Sequence, residues 1–442
     1  MTMLQRIDVT DDGKLQSLLR AYRTRGITHR SEQDARRAAV TEIVDAVRDR
    51  GDEAVAEFTR RFDGVDLSPD AFEVSRNEME QASRDLPRET YNLLQKAHEQ
   101  IRAFHARGLR ESWQIEYDDG SFVGQRVLPL DRVGVYVPGG KAFYPSSVLM
   151  NIVPAKVAGV GEVIMVSPPS WNGTIHPAVL AAAYIAGADR VFRVGGAQSV
   201  AALAYGTEKI PAVSKITGPG NAYVTLAKAM VRGMVEIDSE AGPSEVVVLA
   251  DDDAHPEQVA AELFAQAEHD EEAVCVLITP SERLLTEVMN VVATQAPKLA
   301  RAAIAVAALT RFGQAVLTRS LEDAVLLVNA FAPEHLSVQT RYPNRLLDQI
   351  RNAGAVMLGA MTPVALGDYG AGPNHILPTM GRARFASPLT AEDFRKVSSV
   401  LCFSRPRLAA EADYYASFAD LEGLEAHARS IRIRVNREGR NP

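Results

Sequence analysis

Residues 191–232 read VFRVGGAQSVAALAYGTEKIPAVSKITGPGNAYVTLAKAMVR, and this stretch decides the fold class. Short β-rich runs at Val191–Val194 and Val213–Ile216 each lead into a glycine-rich turn. Each turn is followed by an alanine-rich helical pattern, which extends to Tyr205 in the first case and to Arg232 in the second. Strand, turn and helix in regular alternation indicate βαβ units, whose strands form a parallel sheet.

The same alternation extends in both directions from this stretch. Further strands are predicted at 133–137, 163–166, 245–250, 273–278, 313–317 and 354–358, with helices at 176–187 and 256–268. These elements form two α/β blocks, which join near residues 236–243. Roughly the first 110 and the last 60 residues follow a helical pattern instead. We therefore expect an α/β protein with a helical segment at each end.

Composition limits the classes of protein to which this chain can belong. It has 442 residues, of which 46% are hydrophobic and 24% charged, as in a globular protein with a large core. The net charge of −8 disfavours a protein whose main task is to bind nucleic acid or anionic lipid. The N-terminus lacks the apolar core of a signal peptide, and no apolar stretch approaches a membrane span. We expect a cytoplasmic protein without nucleic-acid or membrane partners.

The two cysteines, Cys275 and Cys402, are too few for a disulfide framework or a cysteine-rich zinc site. Cys275 lies in the apolar run AVCVLI, which is typical of core packing. Neither cysteine belongs to any motif described below. A cysteine nucleophile is therefore not expected.

Three glycine-rich turns follow predicted strands: PGG at 138–140, GGAQ at 195–198 and GPGN at 218–221. Backbone amides at such a turn, together with the next helix N-terminus, favour a phosphate group. None of the turns completes the G-x-G-x-x-G pattern, because Tyr223 stands where a third glycine would follow Gly218 and Gly220. By spacing alone, dinucleotide binding and ordinary tight turns explain these glycines equally well.

Two pairs of side chains carry groups suited to chemistry. Gln266 and His269 are three residues apart near the end of a predicted helix, so they can converge on one ion. An oxygen and an imidazole are ligands that suit zinc. Taken alone, however, a pair with this spacing is usually exposed on the surface and has no functional role. Glu334 and His335 adjoin a proline turn and could act as a general-base unit, because histidine titrates near neutral pH. The alternative for this second pair is local hydrogen bonding at a helix end.

Two more segments are less specific. GDYGAGPNH at 367–375 is a glycine-rich loop that presents Asp368 and His375, and loops of this kind often hold functional residues. His375 could do chemistry or only order the loop. EGLEAH at 422–427 contains Glu422 and His427 in the helical C-terminal segment, and by itself it indicates little.

Taken together, the motifs resemble those of histidinol dehydrogenases, in the same order and at the same spacing. The segments that carry the resemblance are VGVYVPGGKAFYPSSVLMNIVPAKVAGV, VGGAQSVAALAYGT, ITGPGNAYV, AGPSEVVVLAD, QAEHD, APEHL, GDYGAGPNHILPT and EGLEAHA. The resemblance covers nearly the whole chain, from about residue 30 to residue 432. Each motif is weak alone, but the set is highly specific.

The resemblance implies the last step of histidine biosynthesis, in which L-histidinol is oxidised through L-histidinal to L-histidine while two NAD molecules are reduced. It implies NAD and one zinc ion per subunit as cofactors. Two Rossmann-like parallel-sheet domains are expected, with smaller helical segments at both ends. The expected divisions are 1–130 (helical, leading into the first α/β domain), 131–237 (an incomplete Rossmann-like NAD domain), 238–380 (zinc and substrate residues) and 381–442 (a helical dimerisation arm).

The resemblance also implies a role for particular residues. Glu334 and His335 would be the catalytic acid–base pair, and the NAD contacts would be Tyr136, Gln198 and Asn221. The implied zinc ligands are Gln266, His269, Asp368 and His427. Substrate contacts would come from Ser244, Glu422, His335 and the zinc-ligand residues. In this family the C-terminal arm crosses to the partner subunit, so an arm-exchanged homodimer is implied in which His427 serves the partner's site.

Two alternatives compete with this interpretation. One is a related dehydrogenase of the same fold that oxidises another polar alcohol, such as a sulfonated diol. The other is a metal-dependent binding protein without catalysis. The presence of Glu334, His335, Glu422 and His427 together favours histidinol, and a binding scaffold has no need of a base beside a nicotinamide site.

Overall fold

The structure is a computed structural model that describes residues 3–25, 30–139, 143–240 and 242–435. Gly140 of the PGG turn and Ala241 of the AGPSE motif lie outside these residues.

The helices cover most of the chain outside three sheets. They are α1 (Asp12–Thr24), α2 (Arg30–Arg50), α3 (Asp52–Asp63), α4 (Arg76–Arg84), α5 (Arg88–Arg107), α6 (Pro145–Ala158), α7 (Pro177–Ala186), α8 (Gly196–Tyr205), α9 (Ala222–Val231), α10 (Pro256–Ala267), α11 (Glu282–Gln295), α12 (Ala302–Phe312), α13 (Leu321–Phe331), α14 (Asn344–Leu347), α15 (Ala365–Asp368), α16 (Arg405–Leu421) and α17 (Glu425–Val435). Within the described ranges, none of these helices is long and apolar enough to cross a membrane.

The strands are short, as is usual for α/β proteins. They are β1 (Gln5–Asp8), β2 (Glu73–Val74), β3 (Trp113–Glu116), β4 (Phe122–Pro129), β5 (Arg132–Tyr136), β6 (Glu162–Val166), β7 (Arg190–Phe192), β8 (Lys215–Thr217), β9 (Glu236–Ile237), β10 (Glu245–Ala250), β11 (Val274–Thr279), β12 (Gln314–Leu317), β13 (His335–Gln339), β14 (Ala355–Leu358) and β15 (Arg395–Cys402).

Two six-stranded sheets dominate the fold, which confirms the predicted α/β class. Sheet I has the order β2-β7-β6-β5-β8-β9, and all its neighbours are parallel except β2, which is antiparallel to β7. Sheet II has the order β1-β12-β11-β10-β13-β14 and is wholly parallel. In each sheet, five strands follow the Rossmann order, in which the chain reverses direction across the sheet beside the first strand. That reversal falls between β5 and β8 in sheet I, and between β10 and β13 in sheet II.

Burial on both faces explains why these strands are almost continuously apolar. Every residue of β10, EVVVLA, is buried, as expected for a central parallel strand covered by helices. The apolar helix α7 beside sheet I is also buried along most of its length. Glu245, the first residue of β10, differs from the apolar residues that follow it, because it is a fully buried carboxylate.

The N-terminal segment does not form a separate helical layer. Its first residues form β1, which pairs with β12 at the edge of sheet II and was not predicted. Leu15, Leu19 and Tyr22 of α1 pack into the core of sheet II, whereas α2 and α3 pack on sheet I. The helical pattern of this segment was predicted, but its division between the two sheets was not.

The chain divides into two compact units, and each is described by itself. The first comprises Met1–Gly108 and Leu130–Phe394 and contains sheets I and II. The second comprises Leu109–Pro129 and Arg395–Pro442, with an antiparallel sheet of order β15-β4-β3 and the helices α16 and α17. The expectation of a purely helical C-terminal segment was wrong, because β15 pairs with β4 over its whole length. The predicted domain boundaries and the dimer remain predictions.

Candidate active site

The Glu334–His335 pair lies at the amino-terminal edge of sheet II. His335 is the first residue of β13, and it pairs in register with Val246 of the neighbouring strand β10. Dinucleotides in Rossmann folds bind at the opposite edge, outside the carboxyl ends of the strands. The pair therefore does not occupy the usual cofactor position of its own sheet.

The backbone of Glu245 holds both members of the pair. The Glu245 N–H donates to Glu334 Oε2 at 2.7 Å, and His335 Nδ1 lies 3.1 Å from the Glu245 carbonyl oxygen. A carbonyl can only accept, so Nδ1 must carry the proton in this hydrogen bond. In neutral His335 the lone pair is consequently on Nε2. Glu334 Oε2 also lies 3.5 Å from His335 Nδ1, and both side chains are buried.

Nearby carboxylates change how His335 titrates. Burial by itself lowers the pKa of His335, but the charge and hydrogen bond of Glu334 and the charge of Asp368 outweigh it. The result is a pKa raised from 6.5 to about 9. Asp368 Oδ1 lies 3.9 Å from Nε2, the nitrogen that carries the lone pair. His335 is thus a stronger base than an ordinary histidine, and its neutral form predominates only in alkaline solution.

His375 orders the loop that carries Asp368. Its Nδ1 lies 3.1 Å from the Asp368 carbonyl oxygen, and its Nε2 lies 3.3 Å from Ser147 Oγ. The carbonyl again requires the proton on Nδ1, so the hydroxyl of Ser147 donates to Nε2. Burial lowers the pKa of His375, which favours this neutral form. Both ring nitrogens are therefore engaged, and the structural role that the sequence left open accounts for this residue.

The other predicted zinc-site residues of the first unit lie near the end of α10. Gln266 is buried, and its Nε2 has no hydrogen-bond partner among the described residues. His269 is exposed and lines, together with Asp368, a cavity of about 400 Å³. Two oxygens and an imidazole form a donor set that suits zinc. Within the described ranges no group of three or more His, Cys, Asp or Glu residues is placed to hold a metal. Gln266 is not one of these residue types and His427 would come from a partner subunit, so the predicted ligand set stays a prediction.

The remaining predicted substrate residues are divided between the two units. Ser244 directly precedes Glu245, is partly buried, and its carbonyl accepts from the Val274 N–H at 3.0 Å. Glu422 is the C-cap that follows α16, His427 lies in α17, and both are exposed in the second unit.

The predicted NAD residues follow strands of sheet I. Tyr136 ends β5, Gln198 is in the first turn of α8, and Asn221 caps α9 after β8. The Tyr136 hydroxyl accepts from the Gly196 N–H at 3.4 Å, and burial raises the pKa of Tyr136 to about 12, so it stays a neutral phenol. The three side chains thus share the carboxyl edge of sheet I, where the glycine-rich turns lie.

Two features of this edge are typical of a ligand site. Gln198 is fully buried, and neither its Oε1 nor its Nε2 has a hydrogen-bond partner among the described residues. Buried polar groups are normally paired, so this amide lacks the partner that burial requires. Gly218 has φ +111°, and a Cβ there would lie 2.0 Å from the Tyr136 carbonyl oxygen. Only glycine permits this close approach of two strand ends.

Asn221 also has a structural role that the sequence did not predict. Its Oδ1 accepts from the N–H groups of Tyr223 and Val224 at 3.0 and 3.1 Å, which makes it the N-cap of α9. The amide oxygen of Asn221 therefore stabilises the turn itself, as the tight-turn interpretation of GPGN predicts. The exposed turn remains open to a ligand.

Sequence reasoning missed two acidic residues near these sites. Glu245 could have been found, because a lone carboxylate that begins an otherwise apolar strand indicates a buried, paired charge. Asp63 gave no comparable signal. It ends α3, its buried Oδ2 has no partner among the described residues, and burial raises its pKa to about 6. Its charge acts on Tyr136, so Asp63 lies close to the predicted NAD edge.

Comparisons with known proteins give consistent results. The family model for histidinol dehydrogenase matches residues 27–435. A histidinol dehydrogenase from Geobacillus kaustophilus is 50% identical over 410 residues, which cover 93% of this chain and 96% of the relative. One from Syntrophotalea carbinolica is 50% identical over 425 residues, covering 96% and 98%. The crystal structure of histidinol dehydrogenase from Elizabethkingia anophelis is similar with a TM-score of 0.91, at 32% identity over 98% of both chains.

Proposed function

This chain belongs to the histidinol dehydrogenase family of oxidoreductases in histidine biosynthesis, and from that premise we propose a specific reaction for it. The protein oxidises L-histidinol in two NAD-dependent steps, through L-histidinal, to L-histidine. One observation supports this proposal most strongly: Glu334 and His335 are both held by the backbone of Glu245 in a buried site. Identities near 50% to histidinol dehydrogenases leave the sulfonated-diol alternative without support.

In the first oxidation His335 is the general base. The alcohol carbon of histidinol loses a hydride to NAD, and its hydroxyl proton is transferred to His335 Nε2, which gives the aldehyde. The Nδ1 hydrogen bond to the Glu245 carbonyl supports this assignment, because it leaves Nε2 as the basic nitrogen. The Glu334 carboxylate stabilises the imidazolium that forms.

In the second oxidation Glu334 activates water. An aldehyde has no hydroxyl proton to lose, so water must first add to the carbonyl carbon and form a hydrate. The Glu245 N–H engages Glu334 Oε2, and we assign proton abstraction from water to the other oxygen, Oε1. His335 returns its proton to the carbonyl oxygen as water adds, so its Nε2 is neutral again. A second hydride then leaves the hydrate for a second NAD while a hydroxyl proton of the hydrate passes to His335 Nε2, and the carboxyl group of histidine forms and ionises.

The side chains of the first unit fit a divalent cation. Gln266, His269 and Asp368 would hold it, because two oxygens and an imidazole suit zinc and because His269 and Asp368 line the same cavity. What zinc supplies when bound is a template that fixes the imidazole and amine of histidinol, and so positions the alcohol carbon. We further propose that His427 of the partner subunit completes this site in an arm-exchanged homodimer.

The carboxyl edge of sheet I fits NAD. The fully buried, unpaired amide of Gln198 beside the glycine-rich turns is the observation that supports this. What NAD supplies there is the hydride acceptor. We propose that Tyr136, Gln198 and Asn221 line its site.

The cysteines do not support a covalent route to the acid. Cys275 is fully buried in β11, its thiol donates to the Leu263 carbonyl at 3.4 Å, and burial strongly raises its pKa. Cys402 is exposed at the end of β15 in the second unit. A buried, protonated thiol is a poor nucleophile, which favours the hydrate over a thioester.

A spectrophotometric assay tests the proposal. Purified protein given NAD and zinc should form NADH with L-histidinol as substrate, and should form little with a sulfonated propanediol at the same concentration. Preference for the sulfonated diol would favour the alternative dehydrogenase. Absence of NADH with either substrate would contradict the proposed reaction.

Removal of the metal tests the zinc proposal separately. Dialysis against a chelator should abolish activity, and added zinc should restore it, since Gln266 and His269 would then regain their ion. Asn290, on the exposed face of α11, offers a control position: Asn290→Ala should keep the metal content of the parent protein. Full activity in metal-free protein would exclude the proposed template.

A further inference from the structure

We infer that Arg25 and Glu245 form a clamp that positions the catalytic pair, a role that rests on the proposed function. Glu245 and Arg25 would contact neither substrate nor cofactor. They would act through the backbone of β10 and through the segment that leads into β13. Both are therefore positioning residues, and the observations that support them concern geometry, burial and charge.

The Glu245 carboxylate is fully buried and fully paired. Arg25 Nη1 and Nη2 donate to its two oxygens at 2.6 and 2.8 Å, and the Met380 N–H donates to Oε1 at 3.1 Å. Burial raises the pKa of Glu245, and the guanidinium of Arg25 opposes that rise. A bidentate pair of this kind fixes direction as well as distance, because the planar fork of arginine matches a carboxylate.

Arg25 also holds the end of α13, just before the segment that leads into β13. Its Nε donates to the Phe331 carbonyl at 2.9 Å, and its guanidinium carbon lies 3.4 Å from the centre of the Phe331 ring. Phe331 is the last residue of α13, and Ala332 follows it with φ +51°, which non-glycine residues rarely adopt. A second Arg25 contact, from Nη2 to the Ala332 carbonyl at 3.4 Å, reaches this strained residue.

The contacts of Arg25 with Glu245 and with the end of α13 both affect the position of the catalytic pair. One side fixes Glu245, whose N–H and carbonyl bind Glu334 and His335. The other side fixes the chain just before that pair. Arg25 therefore fixes the position of β10 relative to the turn that leads into β13. The two hydrogen bonds that the Glu245 backbone makes with Glu334 and His335 depend on this relative position.

Arg25 could not have been found from the family motifs. It lies two positions before residue 27, where the family match begins, and it is separated from Glu245 by 220 positions. Within the chain it follows α1, which packs on sheet II through its apolar face. The N-terminal segment thus contributes to the site through one side chain at its end.

A charge-neutral double variant tests the clamp without leaving a buried charge unpaired. Arg25→Met with Glu245→Gln removes the ion pair but keeps similar side-chain volumes, so the fold should survive. We expect kcat to fall by about 100-fold, because small displacements of catalytic groups have effects of that order. KM for histidinol should change much less than kcat, because neither Arg25 nor Glu245 hydrogen-bonds Gln266, His269 or Asp368, the zinc-ligand residues expected to hold the substrate.

A matched control exists in the same segment. Arg6 forms a bidentate pair with Glu282 at 2.7 and 2.8 Å, but on the exposed edge strand β1. Arg6→Met should leave kcat, KM and the melting temperature unchanged, because exposed ion pairs contribute little. Arg25→Lys keeps a charge beside Glu245 but loses the fork, so it should melt like the parent protein and still lose kcat.

A spectroscopic readout needs no substrate. The buried Nδ1–H of His335 should give a slowly exchanging downfield proton resonance, assigned by its absence in His335→Asn. In the double variant this resonance should move or broaden, and in Arg6→Met it should not.

A folded double variant with parental kcat, or with an unchanged resonance, would refute the clamp. If the parent protein failed to oxidise histidinol, the proposed function would fail, and the resonance would still decide the clamp. If the double variant failed to fold, Arg25→Lys would decide it by the same two measurements.

Discussion

The raised pKa of His335 predicts a steep pH dependence of the first oxidation. A base acts in its unprotonated form, and with a pKa of about 9 only about 1% of His335 is neutral at pH 7. The ratio kcat/KM should therefore rise about tenfold for each pH unit and level off near pH 9. A cation on Asp368 offsets part of the rise, so the midpoint in zinc-loaded protein should lie below 9.

Initial rates of NADH formation at low histidinol, measured in zinc-loaded protein from about pH 6 to pH 10, give this profile. Glu334→Gln should move the midpoint to lower pH, because it removes the carboxylate that raises the pKa most. His335→Asn should lower the rate by about 10²–10⁴-fold and remove the slope. His255→Asn, which changes an exposed histidine at the N-terminus of α10, is the control and should leave the profile unchanged. A midpoint that does not move in Glu334→Gln, or a slope that persists in His335→Asn, would refute the reasoning.

Three further predictions concern NAD, the cysteines and the dimer. Gly218→Ala should weaken NAD binding by at least tenfold, as measured by titration calorimetry, because its Cβ would lie 2.0 Å from a backbone oxygen. The double variant Cys275→Ala, Cys402→Ala should keep both oxidations and melt at a lower temperature, since it truncates a buried side chain in β11. When inactive His335→Asn and His427→Asn proteins are unfolded, mixed and refolded together, about a quarter of the sites should recover, because crossed arms place both lesions in one site of each mixed dimer.

Each of these predictions has an outcome that contradicts it. Gly233→Ala is the control for Gly218, because Gly233 has φ +107° but nothing lies within 4 Å of a Cβ there. Equal NAD affinity in the two glycine variants would show that the close approach of Gly218 to the Tyr136 carbonyl does not affect NAD binding. A cysteine-free protein that stops at the aldehyde would disprove the hydrate route. Mixed dimers without recovered activity would mean that His427 serves its own chain.

The central strands were predictable because their sequences determine their environment locally. Strands such as β6 and β10 are apolar after a single leading glutamate, are bounded by turns and alternate with helices, so composition and spacing suffice to identify them. The edge strands β1 and β15 carry no such signal. β1 reads QRID and is mostly exposed, and only its pairing with β12 makes it a strand. Its structure depends on a partner more than 300 positions away in the chain.

The candidate site was predictable as a list of side chains but not as an arrangement. Motifs identified Glu334 and His335, because residue type and sequence neighbours carry that information. What holds them is the peptide group of Glu245, whose position depends on the register of β10 and β13. The position of the pair at the amino-terminal edge of sheet II follows from β13, which was not predicted. The raised pKa of His335 depends first on Glu334, its neighbour in the sequence, and also on Asp368, which tertiary folding brings within 3.9 Å.

The number of NADH molecules formed from each histidinol tests the central claim most directly. Zinc-loaded protein is given excess NAD and a limiting, known amount of L-histidinol, and the reaction is followed to completion with the product identified by mass. If Glu334 and His335 complete both oxidations in one site, two NADH form for each histidinol, and the product is L-histidine. One NADH with L-histidinal as the product, or none at all, would contradict the account.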